Sequence, residues 1–371
     1  TSNSKDDPAS VLLDILDQLV DVEVIDAIVP LAVKYGINVL DDKSGIGADY
    51  INDFTSEELN HDFHKLIEIA HKLVDDLDIV HYYINQFDGD LPLPNEEVIR
   101  ALVDDLFELN IIINADGKLA TLIYDEIVER VLKDGQKLIV SADDFAFDTI
   151  DWTSEKEIIR ELISVGYDFL EVNNIQNMAS VQQFIKEKLY ASPVILRDET
   201  GYVLSDAIRV LQNSQLIGNV IEKLYNYGID FLANSGKVNL PIPIDYLSGM
   251  PKDKLMEDFG NVANILDKAV EFGLMEYLAD NDIRGLNLEL VAQIVEDLYT
   301  LNIVRDHGLE LLGNIYNYGL KYLEDQTNGT FILTQTQIDQ IDCEQEIVAL
   351  ANVVRSLQAV IDASSINSLG D

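Results

Sequence analysis

The residues best suited to chemistry lie in one short histidine-containing stretch. His61 and His64 are three residues apart, and Glu57 and Glu68 flank them at helical spacing. Imidazole and carboxylate groups on one helix face are suitable ligands for zinc or another transition metal. The His-Glu-x-x-His arrangement of metalloproteases is absent, and the polar face of an ordinary amphipathic helix gives the same pattern. We therefore treat His61, His64, Glu57 and Glu68 as weak candidate metal ligands.

Acidic pairs in short segments suggest calcium as a second candidate cation, because hard oxygen ligands suit that ion. The pairs fall at 41–42, 88–90, 143–144 and 280–282. None of them has the ligand spacing or the final glutamate of an EF-hand, and loop Asp and Asn residues commonly form turns and helix caps. The sequence predicts no resident cofactor, with calcium as the alternative.

Nucleophilic catalysis has little support in the sequence. Cys343 is the only cysteine, so no disulfide can form within the chain. It stands at a predicted helix start, where Thr55 and Thr153 stand in similar segments, so capping explains it. The chain contains no Gly-x-Ser-x-Gly elbow, no P-loop and no dinucleotide-binding glycine pattern. We expect a protein that is not an enzyme.

Internal repetition is the clearest feature of the sequence. Asp105–Ile111 recurs as Asp297–Ile303, 192 positions later, and Tyr35–Ile37 recurs as Tyr227–Ile229 at the same offset. Two separate matches with one offset indicate tandem duplication. Because a further match has an offset of 91 positions, the sequence predicts a unit of roughly 90–100 residues, present about four times.

The match at 91 positions pairs two tyrosine-rich segments. Tyr225 and Tyr227 align with Tyr316 and Tyr318, in the sequence Tyr-Asn-Tyr-Gly. Tyrosine is common in interfaces, so these side chains could contact a partner. The favoured interpretation is packing of one unit on its neighbour. The following glycine is expected near a helix end, either as the start of a C-terminal cap or as a site of close packing.

Each unit is predicted to contain three or four amphipathic helices. Apolar residues recur at spacings of three and four, as a core-facing stripe requires. The predicted helices cover residues 25–40, 155–172, 216–232, 261–278, 290–301 and 309–323. Helix starts are marked by a Ser, Thr or Asp cap followed by acidic residues, as in Asp53–Glu58, Asp151–Lys156 and Asp342–Glu346, with a looser version at Met250–Asp253.

Short segments rich in β-branched residues separate the helical stretches. They cover residues 137–140, 237–244 and 330–334, and a glycine precedes each of them. We predict short strands or extended linkers there, and Pro241 and Pro243 restrict the second segment to a sheet edge or a linker.

The fold predicted from these patterns is mainly α, an elongated array of tandem helical repeats with short extended or β segments at the junctions. A compact bundle is the alternative. The predicted organisation is a partial repeat at 1–50 (a C-terminal half), full repeats at 51–134, 135–233 and 234–324, and a partial repeat at 325–371 (an N-terminal half).

The charge of the chain restricts its partners. With 67 acidic and 25 basic residues, the formal net charge is −42, which would repel nucleic acid and anionic membranes. Hydrophobic residues make up 47% and the mean hydropathy is +0.05, enough apolar surface for folded cores. No apolar stretch has the length of a membrane span.

The function expected from the sequence is a non-enzymatic structural or protein-interaction repeat module, whose partners are neighbouring repeats or other proteins. The chain begins without Met or a signal peptide, so we expect a segment of a larger bacterial cell-surface protein. The alternative, from a different class, is a carrier of a lipid or another apolar ligand held between amphipathic helices.

Overall fold

The computed structural model describes residues 8–20, 22–44, 48–77, 92–113, 117–131, 139–184, 198–235, 249–273, 287–309, 312–313, 316–317, 320–321 and 333–364. Helix makes up 83% of the structure, and these residues contain 16 α-helices and no strand. The predicted mainly α fold is confirmed. None of the helices in this part of the chain is both long and apolar enough to cross a membrane.

The chain divides into two compact units, Thr1–Ile185 with Ser214–Leu216, and Lys186–Asn213 with Ile217–Asp371. The first unit contains α1 (Pro8–Val20), α2 (Glu23–Ser44), α3 (Ser56–His71), α4 (Glu96–Leu106), α5 (Asn110–Ile113), α6 (Lys118–Val131), α7 (Ala142–Phe145), α8 (Trp152–Val172) and α9 (Met178–Phe184). The five segments predicted from the repeats are a finer division and stay a prediction.

The remaining helices belong to the second unit, except that α11 begins within the residues grouped with the first. They are α10 (Asp198–Leu211), α11 (Gln215–Ser235), α12 (Lys252–Glu271), α13 (Leu288–Leu298), α14 (Asn302–Asp306), α15 (Gln335–Ile338) and α16 (Cys343–Ser364). Short 3₁₀ turns lie at Ala48–Asp53 and Phe147–Thr149, and a π-helical turn lies at Lys72–Asp76. The described residues at 308–309, 312–313, 316–317 and 320–321, in the region of the predicted helix 309–323, are also helical.

Helix starts follow the capping chemistry of the sequence. The Thr55 hydroxyl accepts the Glu58 N–H at 3.2 Å, while the Glu58 carboxylate accepts the Thr55 N–H at 2.8 Å, which is a complete capping box before α3. Asp151 accepts the N–H groups of Thr153 and Ser154 before α8. Asp342 accepts the Gln345 N–H at 3.2 Å before α16. The start signatures therefore locate three helices correctly.

Two apolar clusters form the core of the first unit. Tyr50, Ile51, Phe54 and Leu59 are buried together, with residues of α2, α5 and α6 packed against them. The second cluster joins α3, α4 and the turn before α5, through Ile69, Leu77, Leu102 and Leu109. These are the apolar stripes of the amphipathic helices, buried against one another as their spacing predicts.

In the second unit, α12 packs against α10 and α13, and α16 packs against α13. Small residues allow close approach, since Ala263, Ala292 and Ala351 are completely buried. Gly260 on α12 lies under the side chain of Gln212, and a Cβ atom there would overlap the Gln212 amide.

The interpretation of the Tyr-Gly pairs is wrong for the two pairs that the structure describes, and Tyr318-Gly319 lies outside the described residues. Gly36 and Gly228 lie inside α2 and α11, several residues before the helix ends, and a Cβ atom on either would meet open space. They are therefore neither C-terminal caps nor sites of close packing in this structure.

The predicted strands are not found where the structure can be described. Ile139 and Val140 form a bend, and Leu333 and Thr334 precede α15 without regular structure. The rest of these three segments lies outside the described residues. An isolated antiparallel bridge between Pro92 and Asn177 is the β pairing present in the described part of the first unit.

Candidate functional site

A buried carboxylate on α3 joins that helix to the start of α5. Asp62 accepts the backbone N–H of Asn110 at 2.7 Å and its side-chain amide at 2.9 Å on Oδ1, and the N–H of Ile111 at 2.9 Å on Oδ2. The first N–H groups of a helix have no partner within the helix. Asp62 therefore satisfies two of them and fixes α5 against α3.

The same set of bonds occurs in the second unit. Asp258 on α12 accepts the backbone N–H and the side-chain amide of Asn302 on Oδ1, and the N–H of Ile303 at 2.9 Å on Oδ2. The amide of Asn302 also donates to the Lys254 carbonyl at 3.3 Å, as that of Asn110 donates to the Glu58 carbonyl at 3.3 Å. Residues 110 and 302 are 192 positions apart, and residues 62 and 258 are 196 apart.

A third buried carboxylate, Glu155 on α8, has the same role with different residues. It accepts the Ser214 hydroxyl at 3.0 Å, the Leu216 N–H at 3.3 Å and the Gln215 N–H. Glu155 is the fourth residue of its helix, whereas Asp62 and Asp258 are the seventh of theirs. We call Asp62, Glu155 and Asp258, together with the helix starts they bind, the carboxylate clamps.

The hydrogen bonds of the clamps indicate a structural role. Both oxygens of each carboxylate accept N–H or O–H groups of the protein, and the side chains are nearly completely buried. A buried polar group that is fully hydrogen-bonded fixes geometry, and removing it leaves buried donors unsatisfied. The arrangement therefore positions helices relative to one another within each unit.

Ion pairs connect two helices of the same unit at four further places. In each pair, a charged residue two or three positions before the end of one helix meets an opposite charge on a later helix. The pairs are Asp17 with His71 (α1, α3), Asp104 with Arg160 (α4, α8), Arg209 with Asp267 (α10, α12) and Glu296 with Arg355 (α13, α16). The contact recurs at the same helix end although the sign of the charge changes.

A second kind of ion pair accompanies the Asp62 and Asp258 clamps and involves the helix that lies between the two clamped helices in the sequence. Asp105 on α4 is buried and contacts Lys72, with Lys65 at 3.5 Å. In the second unit Asp297 on α13 contacts Lys268. Residues 105 and 297 are again 192 positions apart, and residues 72 and 268 are 196 apart.

The predicted metal ligands do not converge. The His61 ring nitrogen lies 3.3 Å from the Glu108 carbonyl, His64 lies 3.7 Å from Asp26, and Glu68 pairs with Lys65 at 2.8 Å. Glu57 is exposed in the first turn of α3. Throughout the residues that the structure describes, no three His, Cys, Asp or Glu side chains are grouped so as to hold a metal ion.

The acidic pairs proposed for calcium have other surroundings where they can be described. Asp144 accepts the Ser141 N–H at 2.6 Å and the Ser141 hydroxyl at 2.7 Å, and so belongs to the cap of α7. The pairs at 88–90 and 280–282 lie outside the described residues, as do the side chains at 41–42.

His71 has the clearest electrostatic shift among the histidines. Its ring nitrogens lie 3.0 Å from Asp75 and 3.0 Å from Asp17. Hydrogen bonds to these two carboxylates raise the pKa of His71 above its ordinary value. The protonated imidazole then links α1 to α3.

The four predicted tyrosines have different surroundings. The Tyr316 hydroxyl donates to Glu346 on α16 at 2.6 Å, and this bond, with burial, raises the pKa of Tyr316 to about 12. Burial, with the charge of Asp258, raises the pKa of Tyr225 to about 12. Tyr227 is exposed on α11, and Tyr318 lies outside the described residues.

Tyr225 also lines an apolar cavity of about 470 Å³ beside the Asp258 clamp. Its walls come from α11, α12 and the turn that leads into α14. The lining residues are Ile217, Ile221, Leu224, Tyr225, Leu255, Asp258, Phe259, Val262, Leu301 and Ile303. Asp258 is already held by Asn302 and Ile303, so the cavity offers mainly hydrophobic contact.

For the Asp62 and Asp258 clamps, the helix start that is bound was identified from the sequence, and the carboxylate that binds it was missed. The Leu-Asn-Ile segments at 109–111 and 301–303 were recognised as a repeat, but the carboxylates that bind them were not. A signal was present, since Leu59-x-x-Asp62-Phe63 recurs as Leu255-x-x-Asp258-Phe259 at 196 positions. Among 67 acidic residues that short match is easily overlooked, and the geometry shows that these two bind the helix starts. When the chain is compared with known protein families, curated proteins and solved structures, it shows no significant match to any of them.

Proposed function

We propose that this protein is a non-enzymatic scaffold of tandem helical repeats, of roughly 90–100 residues each, stacked as an elongated array. The observation that carries the proposal is the pair of clamps at Asp62 and Asp258. They use the same residue types and hydrogen bonds at an interval of about two repeats. The Glu155 clamp supplies the same connection between them in the sequence.

The four ion pairs near helix ends support the same proposal. Asp17 with His71 and Arg209 with Asp267 occupy matching places with opposite charges. Such an exchange preserves a contact between neighbouring elements while the residues change. In repeat proteins each unit contacts its neighbours, so contacts of this kind recur along the chain.

The proposed setting is a segment of a larger bacterial cell-surface protein, with neighbouring repeats or other proteins as partners. The net charge of −42 supports a role away from nucleic acid and anionic membranes. An antibody against the purified chain should label intact cells of the source bacterium. Labelling only after permeabilisation would contradict this setting.

Hydrogen exchange with mass spectrometry tests the repeat organisation. Asp258→Asn replaces an acceptor of the clamp with an amide, and its matched control is Asp253→Asn at an exposed position of α12. In a repeat array, protection should fall around 252–306 and in the adjoining helices, while 56–113 keeps its protection. An equal loss over the whole chain would contradict the proposal.

Small-angle scattering tests the elongated form. A compact globule of this length has a radius of gyration of about 21 Å. We expect a clearly larger value for the array, and a value near 21 Å would favour the compact bundle instead.

The cavity beside Asp258 favours a second candidate function, that of a carrier for an apolar ligand. Its volume of about 470 Å³ lies in the range of small-molecule sites. Apart from Asp258 and the Tyr225 hydroxyl, the lining side chains are hydrocarbon, and the negative charge of the chain disfavours an anionic head group. The ligand class would be a neutral lipid or another neutral apolar molecule.

The neutral fluorescent probe N-phenyl-1-naphthylamine tests the carrier. Val262→Trp would fill the cavity, while Ile123→Trp places the same side chain at an exposed position of α6. The carrier hypothesis predicts probe binding that the first variant weakens at least tenfold and the second leaves unchanged. No binding to the unaltered protein, together with a ligand-free mass on native mass spectrometry, would exclude it.

A further inference from the structure

The last helix presents an apolar stripe to solvent. Leu350, Val353, Leu357 and Val360 follow one another at spacings of three and four on α16, and they are 39–60% exposed. On another side of the same helix, Ala351 is completely buried and Arg355 pairs with Glu296 of α13. One side of α16 is therefore packed and another is apolar but uncovered.

The start of α2 presents a second apolar surface. Val22, Val24 and Ile28 are 44%, 61% and 48% exposed, and Leu31 and Tyr35 continue the stripe of Val24 and Ile28 at 70% and 74%. Val22 lies in the turn between α1 and α2, and the other four residues lie on α2.

Two of the matching positions elsewhere in the chain are buried. The offset of 192 positions that relates Tyr35 to Tyr227 aligns α1 and α2 with α10 and α11. Under this alignment Ile28, 48% exposed, corresponds to Val220, which is 2% exposed. The same alignment pairs Val22, in the turn between α1 and α2, with Ser214, in the turn between α10 and α11. Val22 is 44% exposed and Ser214 is 4% exposed.

The two Leu-Asn-Ile turns indicate what covers such a surface. Leu109 and Leu301 lie three positions after the end of a helix, Val22 lies two positions after one, and the two leucines are 2% and 8% exposed. They lie beside α3 and α12, the helices whose carboxylates bind the next residues. A helix of the α3 and α12 type is therefore the natural cover for Val22 and Val24.

The helix α16 is of this type. It packs on α13 as α12 packs on α10, with an ion pair at the matching helix end. Counted from the first helical residue, Leu350 and Val353 correspond to Phe259 and Val262 of α12. Those two residues share the walls of one cavity with Leu301 and Ile303, so this is the side of α12 that faces its turn.

We propose that α16 of one copy of this chain binds the α1–α2 turn of a second copy, with Leu350, Val353 and Leu357 covering Val22, Val24 and Ile28. This inference rests on the proposed repeat organisation, since the contact would reproduce an internal one between chains. The two surfaces differ, so the contact is heterologous and each added copy leaves one of each surface free. Assembly is therefore open-ended.

The acidic surface opposes this assembly at low ionic strength. Each copy carries a formal charge of −42, and salt screens the repulsion between two copies while it leaves apolar contact intact. We therefore expect association to strengthen from about 20 mM to about 500 mM sodium chloride.

Sedimentation equilibrium of the full chain tests the proposal, over concentrations on the order of 1–200 μM in the higher salt. One variant, Val353→Asp with Leu357→Asp, blocks α16. A second, Val24→Asp with Ile28→Asp, blocks α2. All four positions are exposed, so circular dichroism should show an unchanged fold. Ile123→Asp, at an exposed position of α6, is the matched control.

The expected result is a mass that grows with concentration for the unaltered chain and for Ile123→Asp. Each blocked variant should associate at least tenfold more weakly, and an equimolar mixture of the two should form a one-to-one dimer. A monomer under all conditions would overturn the proposal. Loss of association in the α16 variant alone, with no dimer in the mixture, would also overturn it, because it indicates a symmetric α16–α16 contact. Hydrogen exchange tests the repeat organisation independently, so a failure of this proposal can be distinguished from a failure of the proposed function.

Discussion

The segments 56–113 and 252–306 have the same polar framework. In each, an aspartate at the seventh position of a long helix binds an Asn-Ile helix start, and a lysine pairs with an aspartate on the intervening helix. The apolar surroundings differ. Leu59 and Ile111 pack with Val33, Ile37, Leu119 and Leu122, whereas Leu255 and Ile303 line a cavity of about 470 Å³.

This difference indicates that the hydrogen bonds of the clamp fix the position of the short helix even where the surrounding apolar packing differs. Hydrogen bonds are directional, and both carboxylate oxygens are used in each segment, so the turn is held in one position. Apolar packing is not directional and tolerates a space beside the same clamp. The following predictions test whether the polar part is equivalent in the two segments and the apolar part is not.

Removal of a clamp should have the largest effect, and a similar one in both segments. Asp62→Ala and Asp258→Ala each leave buried N–H groups without an acceptor, so each should lower the local free energy of unfolding by about 3 kcal/mol. Hydrogen exchange of 110–113 and 302–306 measures this. The controls Glu57→Ala and Asp253→Ala, at exposed positions, should change it by less than about 0.5 kcal/mol. A difference above about 1 kcal/mol between the two clamp variants would refute their equivalence.

Truncation of Leu109 or Leu301, the leucine before each clamped helix, should lower stability by different amounts in the two segments. Leu109 is buried in a filled cluster, so Leu109→Ala should cost about 3 kcal/mol, since it opens a new cavity. Leu301 already borders the cavity and has fewer neighbours to lose, so Leu301→Ala should cost about 2 kcal/mol. Urea denaturation followed by site-resolved exchange compares the two. Equal costs would show that the cavity is filled in solution.

Replacing the lysine of each Lys–Asp ion pair should give a smaller difference in unfolding free energy between the two segments. Asp105 has two lysine neighbours, so Lys72→Met leaves Lys65 in place and should cost under about 1 kcal/mol. Asp297 has Lys268, and Asn261 stands where Lys65 would align, so Lys268→Met should cost about 1 kcal/mol or slightly more. Chemical denaturation gives both values. A larger loss for Lys72→Met would mean that Lys65 does not compensate.

The smallest effect concerns pH and is confined to the first segment. Hydrogen bonds to Asp75 and Asp17 raise the pKa of His71, so its contribution to stability is complete below the unfolded value near 6.5 and is lost as pH rises through the folded pKa. The pair is partly exposed, so the contribution is about 0.5 kcal/mol or less. Thermal unfolding between about pH 6 and 8 should show this slope, and His71→Gln should remove it.

Secondary structure was largely predictable because it depends on local information. The predicted helix 155–172 is observed as Trp152–Val172, and 216–232 as Gln215–Ser235. Apolar spacing and caps such as Thr55 and Asp151 act within a few residues. The Tyr-Gly pairs misled the prediction, because glycine lowers helix propensity but tertiary packing of a long apolar stripe outweighs about 1 kcal/mol.

The clamps could not be predicted in full, because each joins residues more than 40 positions apart. Asp62 and Asp258 resemble every other acidic residue until the chain brings them to a helix start. The Glu155 clamp shows the difficulty best. It uses a longer side chain one turn earlier in its helix and binds Ser214 and Gln215 in place of Asn-Ile.

The sequence by itself determined the helical class, the starts of α3, α8 and α16 and the offsets of 192 and 91 positions, because spacing, capping and repetition are properties of the linear chain. The tertiary structure alone decided which carboxylates are buried as clamps, that His61, His64, Glu57 and Glu68 do not converge, and which apolar stripes stay exposed. Burial and pairing depend on residues distant in sequence, and their free energies are set only when the helices pack.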